Sequence, residues 1–331
     1  MPAAHPLKGN KREEERQMTQ RDAFWNRYYE LARQDTRLVV VTADMGAPSL
    51  DRIRKEIPNQ FVNVGIAEQN AILVASGLAL QGKHPFVYAI APFITLRCLE
   101  QIRVENAIMN IPITIVGVGA GFGYDDSGPT HHLIEDIACL RSMPNLVIHS
   151  ISDNVMAAAM AEISCSFPTS NYIRLDRKAL PDIYHPTTAF TEGVKRLRSS
   201  EGGIYLVATG FMVHTALEAA RRLEQNGVAV GVIDVYSLPI AGPAFINAIA
   251  GASSIVTLEE HFLPGGFGSA VLEALADMGN PMPVHRLGIS HEKGYCYQYG
   301  GREIIHKYYG IDVESVTRAV LTLHSRKSPS K

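Results

Sequence analysis

The carboxylate Glu68 lies between a mostly apolar segment, residues 61–64 followed by Gly65, and the run of small residues at 71–79. The run has helical spacing and almost no charge, so it predicts a buried helix with Glu68 at its entrance. An acid in the first turn of a helix is stabilised by the helix dipole by about 0.3–1 kcal/mol, which is sufficient reason for a glutamate here. The rest of the chain decides whether this carboxylate also does chemistry.

A second group of polar side chains follows a glycine-rich stretch at 117–123. The spacing of its glycines is not the dinucleotide fingerprint and no P-loop lysine follows, so a flexible turn after a strand is an alternative to a ligand-binding role. The next residues, 124–132, predict a loop that contains several ionisable side chains. A loop histidine is usually a solvated bystander, but α/β sheets bind ligands in the loops that follow their parallel strands.

The elements that must position these residues alternate along the chain. Strands rich in Val and Ile, separated by helices, indicate a parallel sheet that is covered on both faces. A break at 181–186 separates two such series, which predicts an α/β fold of two doubly wound domains. The predicted strands are 37–42, 85–90, 113–118, 146–149, 204–210, 228–235 and 254–258, and the predicted helices include 93–109, 154–163 and 213–225.

Composition bounds the function. The 331 residues are 46% hydrophobic, enough for two cores, and the net charge of −2 gives no basic face for nucleic acid or an anionic membrane. The widely spaced Cys98, Cys139, Cys165 and Cys296 predict reduced, buried thiols in a cytoplasmic protein. Residues 1–17 have no apolar core and predict a mobile arm rather than a signal peptide or anchor, and 326–331 predict a tail.

Four motifs occur in the order found in a known family. Val-Gly-Ile-Ala-Glu-Gln-Asn at 64–70, then Phe93, then Gly-Pro-Thr-His at 128–131, resemble the pyrimidine-binding domain of transketolases and of deoxyxylulose-phosphate synthase. Arg-Leu-Asp-Arg at 174–177 resembles the strand that ends that domain, and residues 256–269 resemble the transketolase C-terminal domain. The resemblance runs from about Met18 to about Leu323. It implies a pyrimidine-binding domain over 18–185 and a C-terminal domain over 186–325.

This resemblance implies a thiamine diphosphate site. That cofactor needs a proton at N1′ of its pyrimidine, and Glu68 matches the glutamate that supplies or shares it. Phe93 matches the aromatic residue that stacks on the pyrimidine, and Met45, after Asp44, matches the apolar residue that props the bent cofactor. His131 matches the histidine that contacts donor hydroxyls or the reacting carbonyl oxygen. Core packing is an alternative role for Phe93 and Met45.

The family's diphosphate and Mg²⁺ motif, Gly-Asp-Gly followed by Asn some thirty residues later, is missing from this sequence. We therefore expect one subunit of a split enzyme, whose N-terminal-half partner supplies diphosphate binding, Mg²⁺ and the opposite wall of the site, with no metal bound by this chain. The resemblance further implies a homodimer within a heterotetramer of two plus two. Apolar helices such as 71–80 and 99–108 would be buried in that assembly.

The substrate residues match the family less completely. Arg21, Ser49 and Arg177 resemble three of the four contacts that transketolase makes to a sugar phosphate, and arginine suits a dianion because its fork donates two hydrogen bonds. The fourth contact, a histidine, is missing near Val118. Where transketolase has an aspartate before Gly-Pro-Thr-His, this chain has Ser127, with Asp126 one place earlier. The substrate terminus could therefore differ from an ordinary phosphate.

Three functions stay open at this point. The first is transfer of a two-carbon ketol unit between sugars. The second is decarboxylation of a 2-oxoacid by a synthase of the deoxyxylulose type or by the beta subunit of a 2-oxoacid dehydrogenase. The third is a non-catalytic scaffold, which has no need of Glu68, Phe93 and His131 together. A further cluster, Glu259-Glu260-His261, is expected to be structural rather than catalytic.

Overall fold

The computed structural model describes residues 18–200 and 203–327. The predicted arm at 1–17 and the last residues of the predicted tail, 328–331, lie outside these ranges. The last helix, Val313–Lys327, extends two residues into the predicted tail.

Strands in the described part of the chain form two sheets, one in each half. The strands are β1 (Leu38–Thr42), β2 (Phe61–Asn63), β3 (His84–Ile90), β4 (Thr114–Val118), β5 (Leu146–Ser150), β6 (Ser170–Leu175), β7 (Val194–Arg198), β8 (Ile204–Ala208), β9 (Gly231–Val235), β10 (Ser237–Leu238), β11 (Ser254–Phe262) and β12 (Val284–Ile289). The first sheet has the order β10-β5-β6-β4-β3-β1-β2 and the second β12-β11-β8-β9-β7.

Parallel pairing dominates both sheets. Among the described residues, the antiparallel neighbours are β10 with β5 and β7 with β9. Strands such as β1 and β4 are buried at every position, because helices cover both faces, and this explains their continuous apolar sequences. The predicted fold class, two doubly wound α/β domains in series, is confirmed. The predicted strand at 228–235 is three residues too long, since β9 begins at Gly231.

Helices connect the strands over both faces. They are α1 (Gln20–Ala32), α2 (Pro48–Glu56), α3 (Glu68–Leu80), α4 (Ala91–Ile94), α5 (Leu99–Gln101), α6 (Asp136–Leu140), α7 (Asn154–Ser164), α8 (Met212–Gln225), α9 (Gly242–Ala248), α10 (Phe267–Asp277), α11 (Arg302–Tyr309) and α12 (Val313–Lys327). Short 3₁₀ turns occur at Pro58–Gln60, Leu96–Cys98 and His291–Lys293, and a π-helix at Ile102–Ile108.

The predicted helix at 93–109 is wrong as a single element. The segment is broken into α4, a 3₁₀ turn, α5 and the π-helix. At the break, Thr95 has φ −109° and ψ −78°, and its hydroxyl donates to the Ala91 carbonyl at 2.6 Å. A threonine hydroxyl that bonds back to the preceding turn distorts a helix, which is the local reason for the interruption.

Helix α3 is buried on one face only, which corrects the prediction of a buried helix. Ala71, Ile72 and Ala75 are buried, whereas Leu73 and Leu80 are 45% and 65% exposed. The helix therefore presents an apolar face to solvent in the single chain.

A buried carboxyl group joins the two halves. Asp234 on β9 accepts hydrogen bonds through Oδ2 from the Ser152 hydroxyl at 2.6 Å and the Tyr184 hydroxyl at 2.8 Å. Burial raises the pKa of Asp234 to about 7, although both hydrogen bonds oppose the increase. Strand β10 reinforces this junction, because it extends the first sheet beside β5.

The cluster Glu259-Glu260-His261 lies in the same junction. Glu260 receives two hydrogen bonds of 2.7 Å from Arg302, whose remaining terminal nitrogen donates to Asp176 at 2.6 Å. Burial would raise the pKa of Glu260, but the charges and hydrogen bonds of Arg302 and His306 together outweigh it and hold this pKa well below its usual range. Glu259 accepts from the first two amides of α10, Phe267 N and Gly268 N. These contacts are structural.

The four cysteines are free thiols, as predicted, but Cys139 and Cys165 are partly exposed rather than buried. Burial raises the pKa of Cys98 and of Cys165 to about 12. Between Met18 and Lys327, with residues 201 and 202 left aside, no helix is long and apolar enough to cross a membrane.

Candidate active site

The predicted site residues collect at one edge of the first sheet. Strands β1, β2, β3, β4 and β6 run parallel, so their carboxyl ends meet at the same edge. Asp44 and Met45 follow β1, Glu68 follows β2, and Phe93 follows β3. The loop 124–131 follows β4 and Arg177 follows β6, so all these residues lie at the edge where α/β sheets bind ligands.

Glu68 is the first residue of α3, and its carboxylate is turned into the protein. The side chain is only 6% exposed, and Oε2 accepts a hydrogen bond from Arg97 Nη1 at 2.7 Å. The preceding Gly65 has φ +75°, a conformation that favours glycine, and this lets the chain turn from β2 into α3.

Arg97, which contacts the Glu68 carboxylate, also contacts the Phe93 ring. The Arg97 guanidinium carbon is 4.4 Å from the centre of the Phe93 ring. The Phe93 ring also packs edge-to-face against the His131 ring, with ring centres 5.2 Å apart. Glu68, Arg97, Phe93 and His131 therefore form one continuous group of contacts. The structure brings together the three residues on which the predicted chemistry depends.

Asp44 is held beside the start of α3 by one amide side chain, and Met45 is held by the Thr42 hydroxyl, which donates to Met45 O at 2.9 Å and accepts from Met45 N at 3.1 Å. Asn63 Oδ1 accepts from both Asp44 N and Gly65 N at 3.0 Å, and Asn63 Nδ2 donates to Asp44 Oδ1 at 3.0 Å. Asp44 has φ +56°, which the paired side chain stabilises. Met45 is half-buried against the aromatic core of the first half. Contact of Asp44 and Met45 with a cofactor stays a prediction.

The loop after β4 meets Arg177 across the site. Arg177 Nη1 donates to Asp126 Oδ1 at 2.7 Å, and the guanidinium carbon is 4.6 Å from the centre of the Tyr124 ring. Ser127 Oγ donates to Asp126 at 2.9 Å, and this bond, followed by the Arg177 bond, lowers the pKa of Asp126. The Tyr124 ring lies 5.9 Å from His131, which connects this pair to the Phe93 group.

Arg21 approaches the same loop from α1. Its neighbour Gln20 is buried and accepts from Asp176 N at 2.7 Å, which fixes the start of α1 beside the end of β6. Burial raises the pKa of Tyr124, while the charges of Arg177 and Arg21 oppose the increase, so both arginines act on this hydroxyl. Arg21 itself pairs with Asp22 at 3.0 Å. Ser49 lies in α2, and its substrate role stays a prediction.

Four residues of this edge were not predicted from sequence. Arg97 contacts the two main candidates, Tyr124 lies between His131 and Arg177, and Asn63 and Gln20 fix the loops. Only Arg97 had a usable sequence signal, because it follows Phe93 by four residues, the spacing at which helical side chains meet. Gln20 and Asn63 act through backbone groups that are distant in sequence, which no local pattern reveals.

The side chains at this edge do not form a metal centre. Within residues 18–200 and 203–327, no group of three or more His, Cys, Asp or Glu side chains could hold a metal ion.

Family models match both halves of the chain. The transketolase pyrimidine-binding domain matches residues 16–182, and the transketolase C-terminal domain matches residues 193–316. These ranges agree with the order of domains that the motifs imply.

Individual relatives cover nearly the whole chain. One of the subunits of the apulose-4-phosphate transketolase of Phocaeicola vulgatus is 35% identical over 304 residues, covering 91% of this chain and 96% of the relative. A 6-deoxy-6-sulfo-D-fructose transketolase subunit of Clostridium sp. is 30% identical over 311 residues, covering 93% and 95%. A solved structure described as a split gene transketolase, inactive beta4 tetramer, superposes with a TM-score of 0.81 at 31% identity, covering 93% of this chain and 99% of the other. The chain therefore belongs to the transketolase family.

Proposed function

We propose that this chain is the C-terminal-half subunit of a split, thiamine-diphosphate-dependent transketolase that moves a two-carbon ketol unit between sugar substrates. The observation that carries this proposal is the placement of the nearly buried Glu68 carboxylate beside the Phe93 ring, with His131 on the edge of that ring. An acid, an aromatic surface and a histidine at one sheet edge are what a pyrimidine cofactor and a carbonyl substrate require.

The residues fit the pyrimidine end of this cofactor. Thiamine diphosphate, when bound, supplies a nucleophilic carbon that stabilises negative charge on the carbon that it attacks. Phe93 offers a ring face for stacking, and Glu68 offers a carboxyl group that can hold a proton at N1′. Asp44, held by Asn63, and Met45, held by Thr42, would line the side of the cofactor that follows β1. The diphosphate and its Mg²⁺ are assigned to the partner.

His131 is proposed to act on the substrate. Its ring lies between Phe93 and Tyr124, with ring centres 5.2 Å and 5.9 Å away. It therefore faces both the proposed cofactor position and the loop 124–131, which contacts Arg177. A histidine here can donate to donor hydroxyls or to the carbonyl oxygen where negative charge develops.

The end of the substrate that lies away from the reacting carbonyl is assigned to Arg177 and the loop 124–131. Arg21 and Arg177 would bind an anionic terminus, with Ser49, Asp126 and Ser127 reading nearby hydroxyls. Asp126 already occupies one side of Arg177, so an anion must compete with this carboxylate. The relatives are named for a phosphorylated and for a sulfonated sugar, and both termini are anionic. We therefore infer an anionic sugar, without preference between the two chemistries.

A partner subunit completes the proposed site. The relatives are named as subunits, and the similar solved structure as a split-gene product, which supports an N-terminal-half partner carrying the diphosphate and Mg²⁺ site. The exposed apolar side chains Ile66, Leu73, Leu80, Ile108 and Met109 lie on or beside α3 and the π-helix, and supply a surface for a homodimer within a heterotetramer of two plus two. A cytoplasmic location, with neither nucleic acid nor membrane as partner, belongs to the same proposal.

The proposal is tested by reconstitution. The chain would be co-purified with its native partner and assayed with thiamine diphosphate and Mg²⁺ against a panel of ketose donors and aldose acceptors, and against 2-oxoacids. Transfer of a two-carbon ketol unit from an anionic ketose is the expected result. Release of carbon dioxide from a 2-oxoacid without ketol transfer would replace this function with the decarboxylating alternative.

A further inference from the structure

We propose that Arg97 occupies the aminopyrimidine position in the unliganded subunit and must leave it before the cofactor binds. The proposal rests on the function proposed above, and it adds a residue that competes with the cofactor. In this role Arg97 is a gating residue and not a catalytic one.

Two contacts of Arg97 coincide with the two contacts expected of the pyrimidine. Its Nη1 donates to Glu68 Oε2 at 2.7 Å, and its guanidinium carbon lies 4.4 Å from the centre of the Phe93 ring. The guanidinium is planar, carries several N–H donors and stacks well on aromatic faces. An aminopyrimidine is also planar, and it needs the same carboxylate and the same ring face.

The two groups cannot be present together. Stacked aromatic rings have centres about 4.5–7 Å apart, so a guanidinium at 4.4 Å from the Phe93 ring fills the layer in which the pyrimidine would stack. Because the same guanidinium also touches Glu68, the covered ring face is the one that adjoins the carboxylate. A ligand that reached Glu68 across Phe93 would meet Arg97 first.

The side chain of Arg97 is free to move away. It is 46% exposed, whereas the Glu68 side chain is 6% exposed, so solvent reaches the arginine from outside the site. The neighbouring Gln69 donates to the Arg97 carbonyl at 3.1 Å, which holds the backbone and not the guanidinium. Rotation about the side-chain bonds can therefore uncover Glu68 and Phe93 without moving the segment between α4 and α5.

The expected effect on affinity is modest. A partly exposed ion pair and a cation–π contact are each weak, so displacing both lowers the apparent affinity of the cofactor by about three- to tenfold. Removing the occupant should recover this factor. A residue that instead held the cofactor or oriented Glu68 for catalysis would have the opposite effect on binding.

Calorimetry on three variants tests the inference. Thiamine diphosphate with Mg²⁺ would be titrated into the complex of the chain with its native partner. Arg97→Ala should bind the cofactor about three- to tenfold more tightly than wild type. Arg97→Lys keeps the charge but lacks the planar fork and should bind more tightly by a smaller factor. The control is Arg221→Ala, which removes an exposed arginine paired with Glu218 on α8 and should leave affinity unchanged.

The outcomes separate this inference from the proposed function. If the wild-type complex binds no thiamine diphosphate, the proposed function fails. If the wild-type complex binds and Arg97→Ala binds equally or more weakly, only the role of Arg97 is overturned. Circular dichroism and gel filtration establish that each variant is folded and assembled, and if Arg97→Ala is not, the Arg97→Lys titration decides in the same way.

Discussion

At the residue scale, the proposed chemistry depends on a carboxylate that the fold keeps almost out of water. Glu68 begins α3, where the helix dipole favours its negative charge, and Arg97 supplies a partner on Oε2. Replacement of Arg97 by a ring nitrogen would leave Glu68 in contact with a group that can share its proton. The position is therefore compatible both with a stable folded chain and with the proposed role in proton transfer.

Glu68→Gln tests this role. Glutamine has nearly the same shape, so the fold should persist, but it cannot supply or share the proton at N1′. We expect the turnover of the assembled enzyme to fall by about a hundredfold or more, with circular dichroism unchanged. The control is Glu224→Gln, an exposed acid on α8 that pairs with Arg198. Full activity of Glu68→Gln would remove Glu68 from the mechanism.

The main site residues could be predicted from sequence, whereas their positioning residues could not. Glu68, Phe93 and His131 lie in motifs read directly along the chain, and the parallel sheet brings these motifs to one edge. Gln20 fixes α1 by accepting from Asp176 N, 156 positions away in sequence. Thr95 breaks a helix whose apolar pattern is continuous. Both effects depend on single hydrogen bonds between side chain and backbone, which periodicity does not contain.

At the element scale, the loops after β4 and β6 and the start of α1 form the proposed subsite for the substrate terminus. Asp126 pairs with Arg177, and Asp22 pairs with Arg21, so each cation already has a carboxylate beside it. When a substrate anion binds, each arginine would therefore exchange its aspartate partner for the anion. This favours discrimination by geometry over strong electrostatic attraction.

Arg177→Ala tests the subsite. Loss of a charge-assisted hydrogen bond should raise the apparent KM for a phosphorylated or sulfonated substrate by about tenfold or more, with little effect on a neutral analogue. Arg221→Ala, which removes an exposed arginine paired with Glu218 on α8, is the control. Equal losses for anionic and neutral substrates would show that Arg177 is structural.

The contact between β9 and the first half predicts a pH dependence of stability. The pKa of Asp234 is raised from 3.8 to about 7, so the native state keeps a proton that the unfolded state loses between about pH 4 and pH 7. The free energy of unfolding should therefore fall as pH rises through this window, by at most about 1.4 kcal/mol per pH unit. Above about pH 7 this contribution no longer changes.

Asp234→Asn tests that dependence. Asparagine resembles the protonated side chain, and its oxygen can still accept from Ser152 and Tyr184. We expect the variant to lose this part of the pH slope and to be more stable than wild type at pH 8. Urea unfolding between pH 5 and pH 8 provides the measurement, with Asp277→Asn, an exposed change at the end of α10, as control. Parallel pH profiles for wild type and Asp234→Asn would contradict the raised pKa.

At the scale of the whole molecule, the proposed half-site lies next to an apolar surface. Glu68 and Phe93 fit the pyrimidine end of thiamine diphosphate, and Ile66, 80% exposed, lies two residues before Glu68. Apolar side chains of this size are normally covered in an assembly. A second copy of this chain would therefore cover this face in the proposed assembly, and the N-terminal-half partner would supply the diphosphate and Mg²⁺ end of the cofactor.

The central claim is that the chain is active only as part of a split enzyme. The most direct measurement is ketol transfer by the purified chain with thiamine diphosphate and Mg²⁺, before and after its native partner is added, with sedimentation to follow assembly. We predict no turnover and at most weak cofactor binding by the isolated chain, and recovery of both in a complex of two plus two subunits. Full ketol transfer by the isolated chain would contradict the account.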